Sequence, residues 1–383
     1  MLTETERTIV AIVRGDPLVS TLELAERLDT TREAVRVHLS NLGKKGVILG
    51  RGFVLREERA AVVIGGANVD IKARSSGAAV PATSNPGSAS SSVGGVGRNI
   101  AENLARLGTP THLLSVVGTD AFGDRLLRDT AAAGVLVDHV VRTDTPTGTY
   151  VAVLDDDGEL VTAVSDMAAS DEIDRRFVEA ARPLLGHAGL VVLDGNLGSD
   201  AIGAALDIAA AAGVEVIVDP VSDAKAARLA DAVDPARPIF AITPNRSELA
   251  ALTGSPTRTS RQLAAAAADL HDRGVEQVWV SLGRRGSVLF RSGRPPVRTD
   301  PAPLAAPIAD VTGAGDAMVA ALAHAHLDGR PMEDAVAFAH AAAALTIEHA
   351  ETVRPDLSSA VVEARVDPDR TIRRPTTTRQ TTT

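Results

Sequence analysis

A chain of 383 residues with 45% hydrophobic content is long enough for two or three domains and a large core. Aromatics make up only 2%, so that core must be built from Ala, Val, Leu and Ile; the absence of cysteine excludes disulfides, thiolate metal sites and cysteine nucleophiles. The net charge of −10 argues against a nucleic-acid coat, yet residues 1–56 hold nine basic and seven acidic side chains, net +2, leaving −12 for the remainder.

No apolar run reaches the roughly 18 residues needed to span a bilayer. The polar stretch Thr3 to Thr8 lacks a signal-peptide pattern, so a soluble cytoplasmic protein with no membrane partner is expected. From Glu4 to Val13, the residues Ile9, Val10, Ile12 and Val13 form one side of a short amphipathic helix. Ser20 caps a second helix, Thr21 to Leu28. Thr30 or Thr31 caps a third, in which Ala34, Val35, Leu39 and Leu42 face inward while Arg32, Arg36, His38 and Ser40 face out. Val47 to Leu55 then reads as two short strands around Gly50-Arg51-Gly52. Three helices and a hairpin over residues 1–57 resemble a winged helix-turn-helix, with Thr31 to Asn41 as recognition helix and Arg51 at the wing tip, which implies DNA as a partner. A docking or dimerisation module of the same outline is the alternative. Glu57 to Arg59 is the linker.

Ala61 to Ile64 is a continuous apolar run stopped by Gly65 and Gly66, the pattern of a buried parallel strand. Asn68 and Asp70 follow at its C-terminal end, where open α/β sheets place their ligands. Two polar side chains two residues apart suit neighbouring sugar hydroxyls, or else make an Asx turn. Residues 71–93 are rich in Ser, Gly, Ala and Pro and read as an excursion or as the polar strands of a lid. Gly94, Gly95 and Gly97 then open a helix, Ile100 to Leu107, where small residues allow close approach of a ligand. Strands and helices alternate from Leu113 to Leu282, predicting a mainly parallel sheet with helices on both faces. One piece breaks this rhythm. Thr149 to Leu154 and Glu159 to Val164 read as a β-hairpin about an Asp-Gly turn, able to pair with strands from 71–93 in a small separate sheet.

Three constellations follow strand ends. Asn245 and Glu248 sit three apart at a helix start and suit a hydrated Mg²⁺, or form a capping box. Ser281, Gly283 and Gly286 make a glycine turn able to pass close to a nucleotide. Last comes Asp310 to Met318. Gly313, Ala314 and Gly315 precede an alanine-rich helical run from Asp316 to His326, leaving backbone amides open to an anion beside the Asp316 carboxylate. Either Asp316 takes a proton from a hydroxyl that attacks a phosphate, or it caps a glycine turn. There is no Gly-x-x-x-x-Gly-Lys-Ser/Thr loop, so any ATP is bound by another route.

The order and spacing of Gly94-Gly95…Gly97…Asn99, Asn245…Glu248 and Asp310-x-Thr-Gly-Ala-Gly-Asp316 over about 300 residues resemble the ribokinase-like, phosphofructokinase-B family. Ser84 to Gly87, Gly94 to Ala101, Ser165 to Met167 and Asp219 to Ser222 look most like its pseudouridine-kinase branch. Val96 stands where ribokinase-type members commonly carry Lys, which disfavours plain ribose. The resemblance implies a ribokinase-like α/β domain over 60–365 with a small β lid from 71–93 and 147–165, often a dimer interface in that family. It further implies an ATP- and Mg²⁺-dependent kinase acting on a 5′-hydroxyl, with Asp316 as base and Gly313, Ala314 and Gly315 as anion hole. Asn68, Asp70, Gly94, Gly95 and Asn99 match the positions around ribose, and Asn245 and Glu248 match those that organise Mg²⁺ through water. Ser281, Gly283 and Gly286 match the nucleotide turn, and His340 lies in a helix matching a wall of the adenine pocket. Asp310 and Thr312 match contributors to a K⁺ site found in some members. Asn85, Ser165 and Asp166 are candidates for reading the base. A regulator that uses the kinase body as a sensor is the rival reading. The Thr- and Arg-rich tail, 366–383, reads as disordered.

Overall fold

The computed structural model describes residues 2–15, 19–48 and 60–366. The chain divides into two compact units at Glu58 and Arg59.

In the first unit three helices, Glu4–Gly15, Thr21–Arg27 and Arg32–Lys44, enclose Ile9, Val13, Leu24, Val35 and Leu42. Ser20 and Glu23 form a capping box and Thr31 accepts from the Ala34 amide, so both helix starts are written in local sequence. Buried Glu6 is paired by the Lys45 ammonium at 2.7 Å, tying the first helix to the end of the third. The expected hairpin, with Arg51 at its tip, and the tail from Asp367 both lie outside the described residues.

The strands of the second unit are β1 (Ala61–Ile64), β2 (Asn68–Ser75), β3 (Gly87–Gly94), β4 (Thr111–Gly118), β5 (Val140–Thr143), β6 (Gly148–Leu154) and β7 (Leu160–Asp166). They continue with β8 (Leu190–Asp194), β9 (Val216–Asp219), β10 (Ile239–Ile242), β11 (Val275–Ser281), β12 (Ser287–Arg291) and β13 (Arg294–Thr299). Nine of them form one sheet in the order β13-β12-β11-β10-β9-β8-β1-β4-β5, parallel from β11 to β5 with an antiparallel edge of β12 and β13. Both faces are covered. Val62 and Ile64 pack with Leu206 and Ile208, whereas Ala61 and Val63 pack with Ile100, Ala320 and Leu322. Strands buried on both sides need apolar residues at every position, and β1, β8, β9 and β10 are buried throughout.

β3-β2-β6-β7 form a separate four-stranded lid. Its β2 begins at Asn68, earlier than the excursion expected from residue 71, because Asn68 and Asp70 themselves pair with Gly94 and Ser92. The edge strands β5 and β13 carry too little apolar alternation to be predicted from sequence. The helix Ala314–Leu327 starts two residues ahead of the expected Asp316, since Gly313 at φ +80° supplies the turn into it.

Candidate active site

The C-terminal ends of β8, β9, β10 and β11 deliver Asp194, Asp219, Asn245 and Ser281 toward one another. Against them sit two helix starts, Val96–Leu107 and Ala314–Leu327. The resulting cavity is lined by Asp219, Asn245, Glu248, Ser281, Gly315 and Asp316, among others.

Gly313 is irreplaceable by geometry, since a Cβ there would lie 2.1 Å from the Thr352 carbonyl oxygen. The next helical residues are Ala314, Gly315 and Asp316, and a Cβ added at Gly315 would meet open space. The first-turn amides of this helix have no intrahelical acceptor, which suits an anion. Asp316 is 8% exposed, and burial chiefly pushes its carboxyl up to about 7, opposed by a hydrogen bond from Asn99. That bond runs from Asn99 Nδ2 to Asp316 Oδ2 at 2.8 Å.

Asp194, fully buried, fastens the glycine turn beneath this pair. Its Oδ2 accepts from the amides of Gly66 and Gly97, each at 2.9 Å. Its role is structural and bridges β1, β8 and the helix from Val96. Asp219 faces the cavity, and burial together with the neighbouring Asp316 charge raises its carboxyl to about 8.

Asn245 and Glu248 do form the capping box: Asn245 Oδ1 accepts from the Glu248 amide at 3.0 Å and Glu248 Oε2 from the Asn245 amide at 2.8 Å. They also line the cavity, so the cap and the site coincide. The donors here are oxygens only, which fits Mg²⁺, and their lone pairs are partly used by the cap, which fits contact through water. Among the described residues no three carboxylates or histidines converge as a direct metal cage.

On the lid, Asn68 Nδ2 donates to Asp70 Oδ1 at 2.7 Å, and Asp70 stands so close over Gly94 that a Cβ there would lie 2.2 Å from its carboxylate. Gly95 follows with φ +98° and opens the helix carrying Asn99. Cross-strand register places Ser92, Asp70, Tyr150 and Ser165 side by side across all four lid strands. Residues directly opposite share a face, so these four form one polar row. Tyr150 was missed by the sequence reading, although it is the only tyrosine in the chain.

Three candidates are placed apart from this assembly. Asp166 is opposite Thr149, hence on the other face of the lid, and accepts from the Ala168 amide at 3.3 Å. Asn85 closes its own loop through both the amide and carbonyl of Val80. His340 is buried behind the cavity wall, edge-on to Trp279, with Nε2 2.7 Å from Ser287 Oγ; burial lowers it to about 4, so it is neutral. Ser281 lines the cavity, and Gly283 (φ +58°) and Gly286 (φ +75°) shape the turn after it. Asp310 accepts from the Thr312 amide at 2.9 Å and hydroxyl at 2.7 Å, and its other oxygen meets the Lys72 ammonium at 3.3 Å.

A nine-stranded, mostly parallel sheet with a four-stranded lid and paired helix starts defines a ribokinase-like kinase. The pfkB family carbohydrate kinase model matches residues 58–359, and the chain belongs to that family. Residues 2–48 match a winged helix-turn-helix DNA-binding model. An uncharacterized sugar kinase of Escherichia coli, YeiI, is 35% identical over 356 residues, covering 92% of this chain and 96% of that protein. Pseudouridine kinase of the same organism is 36% identical over 314 residues, covering 82% and 98%. Among solved structures, Arabidopsis thaliana ribokinase complexed with ribose and ATP superposes with a TM-score of 0.71 at 28% identity, over 81% of this chain and 99% of that one. A carbohydrate kinase from Agrobacterium tumefaciens gives 0.70 at 30%, over 80% and 97%.

Proposed function

We propose that this kinase transfers the γ-phosphoryl group of ATP to the 5′-hydroxyl of pseudouridine, giving pseudouridine 5′-phosphate. The observation that carries the phosphoryl transfer is the buried Asp316 carboxylate, held by Asn99, on the first turn of a helix whose Ala314 amide makes only a long 3.4 Å contact with the Val311 carbonyl. A carboxyl raised to about 7 is poised to accept the hydroxyl proton as the oxygen attacks phosphorus. The amides from Gly313 to Gly315 face the phosphoryl oxygens, and attack is in line with no covalent enzyme intermediate. Mg²⁺, when bound, neutralises charge on the phosphate oxygens. Asn245 and Glu248 would hold it through its waters. Ser281, Gly283 and Gly286 accompany the nucleotide. Asp310 and Thr312 are the residues a K⁺ ion would use, with Lys72 already at the carboxylate.

For the acceptor, Asn68, Asp70, Gly94, Gly95 and Asn99 take the ribose hydroxyls. The register then supports a nucleoside over a bare sugar. Tyr150 lies one strand beyond Asp70 and Ser165 two, at spacings of about 4.8 Å per strand. An aglycone attached to a ribose held at Asp70 therefore meets a phenol ring and a hydroxyl. The 36% identity to a pseudouridine kinase across 98% of its length adds to this reading. Residues 1–57 bind DNA in the same proposal. The outer lid face, where Val164 is 64% exposed, forms a homodimer contact.

Coupled ADP release across pseudouridine, uridine, ribose and a keto-sugar acid tests the acceptor. Pseudouridine should give the highest kcat/KM, and Tyr150→Ala should lower that value while leaving turnover of ribose unchanged. Faster turnover of ribose or the sugar acid by the wild-type chain sinks the nucleoside reading in favour of a sugar kinase.

A further inference from the structure

Arg98 is a buried cation, 4% exposed, that phosphoryl transfer as described above does not use. Every branch of its guanidinium is engaged. Nε donates to Thr130 Oγ1 at 3.2 Å, Nη1 to the Val93 carbonyl at 3.2 Å and to Asn99 Oδ1 at 3.0 Å, and Nη2 pairs with Glu102. Glu102 in turn accepts from Arg106 Nε at 2.8 Å, so the carboxylate keeps a second cation. Burial of a guanidinium is unfavourable, and one of its four partners is a neighbour of the site.

That neighbour is Asn99. A carboxamide has one accepting end and one donating end, and its two orientations are nearly equal in shape. Arg98 can only donate, so its bond to Oδ1 forces Nδ2 to the other side, which is where Asp316 stands. We propose that Arg98 is a positioning residue for phosphoryl transfer: by holding the Asn99 carbonyl oxygen it prevents the amide from turning over, so Asp316 always meets a donor and never an acceptor. The proposal rests on the reading of Asp316 as base.

The consequence appears when Asp316 has taken the proton. A free amide would flip and accept from the new O–H, stabilising the protonated acid. With Oδ1 locked by Arg98 that rescue is closed, and the ionised form is the one the site solvates. The charged groups acting on Asp316 are Asp194, Asp70 and, across the cavity, Asp219, which disfavour the carboxylate, and Arg98 itself, which favours it. Arg98 in turn lies in the field of Arg106, Asp129, Asp70 and Asp316. Removing it thus works in one direction through both the amide and the charge.

The same guanidinium grips the Val93 carbonyl at the base of lid strand β3. One side chain therefore touches both the lid and the amide beside the base, while Arg125 holds the same strand at Ser91.

The test uses the full chain with ATP, Mg²⁺ and pseudouridine, or the fastest acceptor of the panel. Arg98→Met strands no new buried charge, because Glu102 keeps its 2.8 Å bond from Arg106, and Arg98→Lys is the conservative rescue. For Arg98→Met kcat/KM should fall about tenfold at pH 6 and return to within about threefold of wild type at pH 9, because the acid limb moves up by about one unit. Arg98→Lys should restore most of the loss. In an Asn99→Ala background the same change should lose most of its effect, leaving only the part carried directly by the charge, since the amide it controls is gone. A loss of equal size at every pH, or an effect that persists undiminished in Asn99→Ala, overturns the proposal and leaves Arg98 a packing residue. Failure of the base reading is separate: it would show as normal turnover in Asp316→Asn, whatever Arg98 does.

Discussion

At the scale of single residues, the site places one carboxylate where a hydroxyl must lose its proton. Asp316→Asn preserves shape and the contact with Asn99 while removing the basic oxygen. Turnover should fall by about 10²- to 10⁴-fold with nucleoside KM within a few-fold of wild type, measured by steady-state kinetics and direct binding. Wild-type turnover in this variant would remove Asp316 from the chemistry. Much of this was legible in the sequence, because Gly313, Gly315 and Asp316 are local: a positive-φ glycine, an uncovered amide and a first-turn acid are neighbours along the chain. Asn245 and Glu248 were legible only as an ambiguity, since a capping box and a site at a helix start use the same two side chains. What sequence could not supply was pairing across the fold. Asp219 and Tyr150 carry no local signature, and only strand order and register bring them to Asp316 and Asp70. The placement of Asp166 opposite Thr149 depends on register in the same way, since a shift of one residue along a strand exchanges faces.

At the scale of elements, the irregular run from Asp300 to Gly313 must be held still if the amides beyond it are to meet a phosphate. It is pinned by Glu348, whose carboxylate accepts from the amides of Ala305 and Ala306 and makes two 2.8 Å bonds with Arg365. Ala309 adds a backbone bond to Ile347 at 2.8 Å. The paired arginine, chiefly, holds the Glu348 carboxyl down to about 2. Because Glu348 is nearly buried, removing its partner strands a charge, and Arg365→Met should destabilise by about 2–3 kcal/mol. Thermal unfolding would show this as a Tm lower by roughly 5 °C. The predicted helices and the central parallel strands were readable from continuous apolar runs and glycine stops. The edge strands were not, because β5 and β13 are mostly exposed and owe their conformation to the neighbour they pair with.

At the scale of the molecule, the kinase unit carries the negative charge of the chain, and part of it is gathered in one cavity. Asp316 and Asp219 have carboxyls raised by burial to about 7 and about 8, against an ordinary value of 3.8. In the unfolded chain both lose their protons near that ordinary value; in the folded chain they keep them until pH 7 to 8. Above about pH 6.5, where the buried His340 is neutral in both states and no longer opposes them, and up to about pH 8, the folded state therefore binds protons that the unfolded state has released, and folding stability must fall as pH rises through this window. Glu348 does not disturb the sign, since a carboxyl held at about 2 is ionised in both states above about pH 5. Thermal scans of the ligand-free chain should give a Tm that declines from pH 6.5 to pH 8.5, with the decline reduced in Asp219→Asn. Magnesium ions bind carboxylates only after their protons leave, so added Mg²⁺ should raise Tm more at pH 8.5 than at pH 5.5. A Tm that rises toward pH 8.5 without added metal would mean that the two acids are already ionised and compensated in the fold, and that the cavity is not storing the charge repulsion a phosphate-bound cation would relieve.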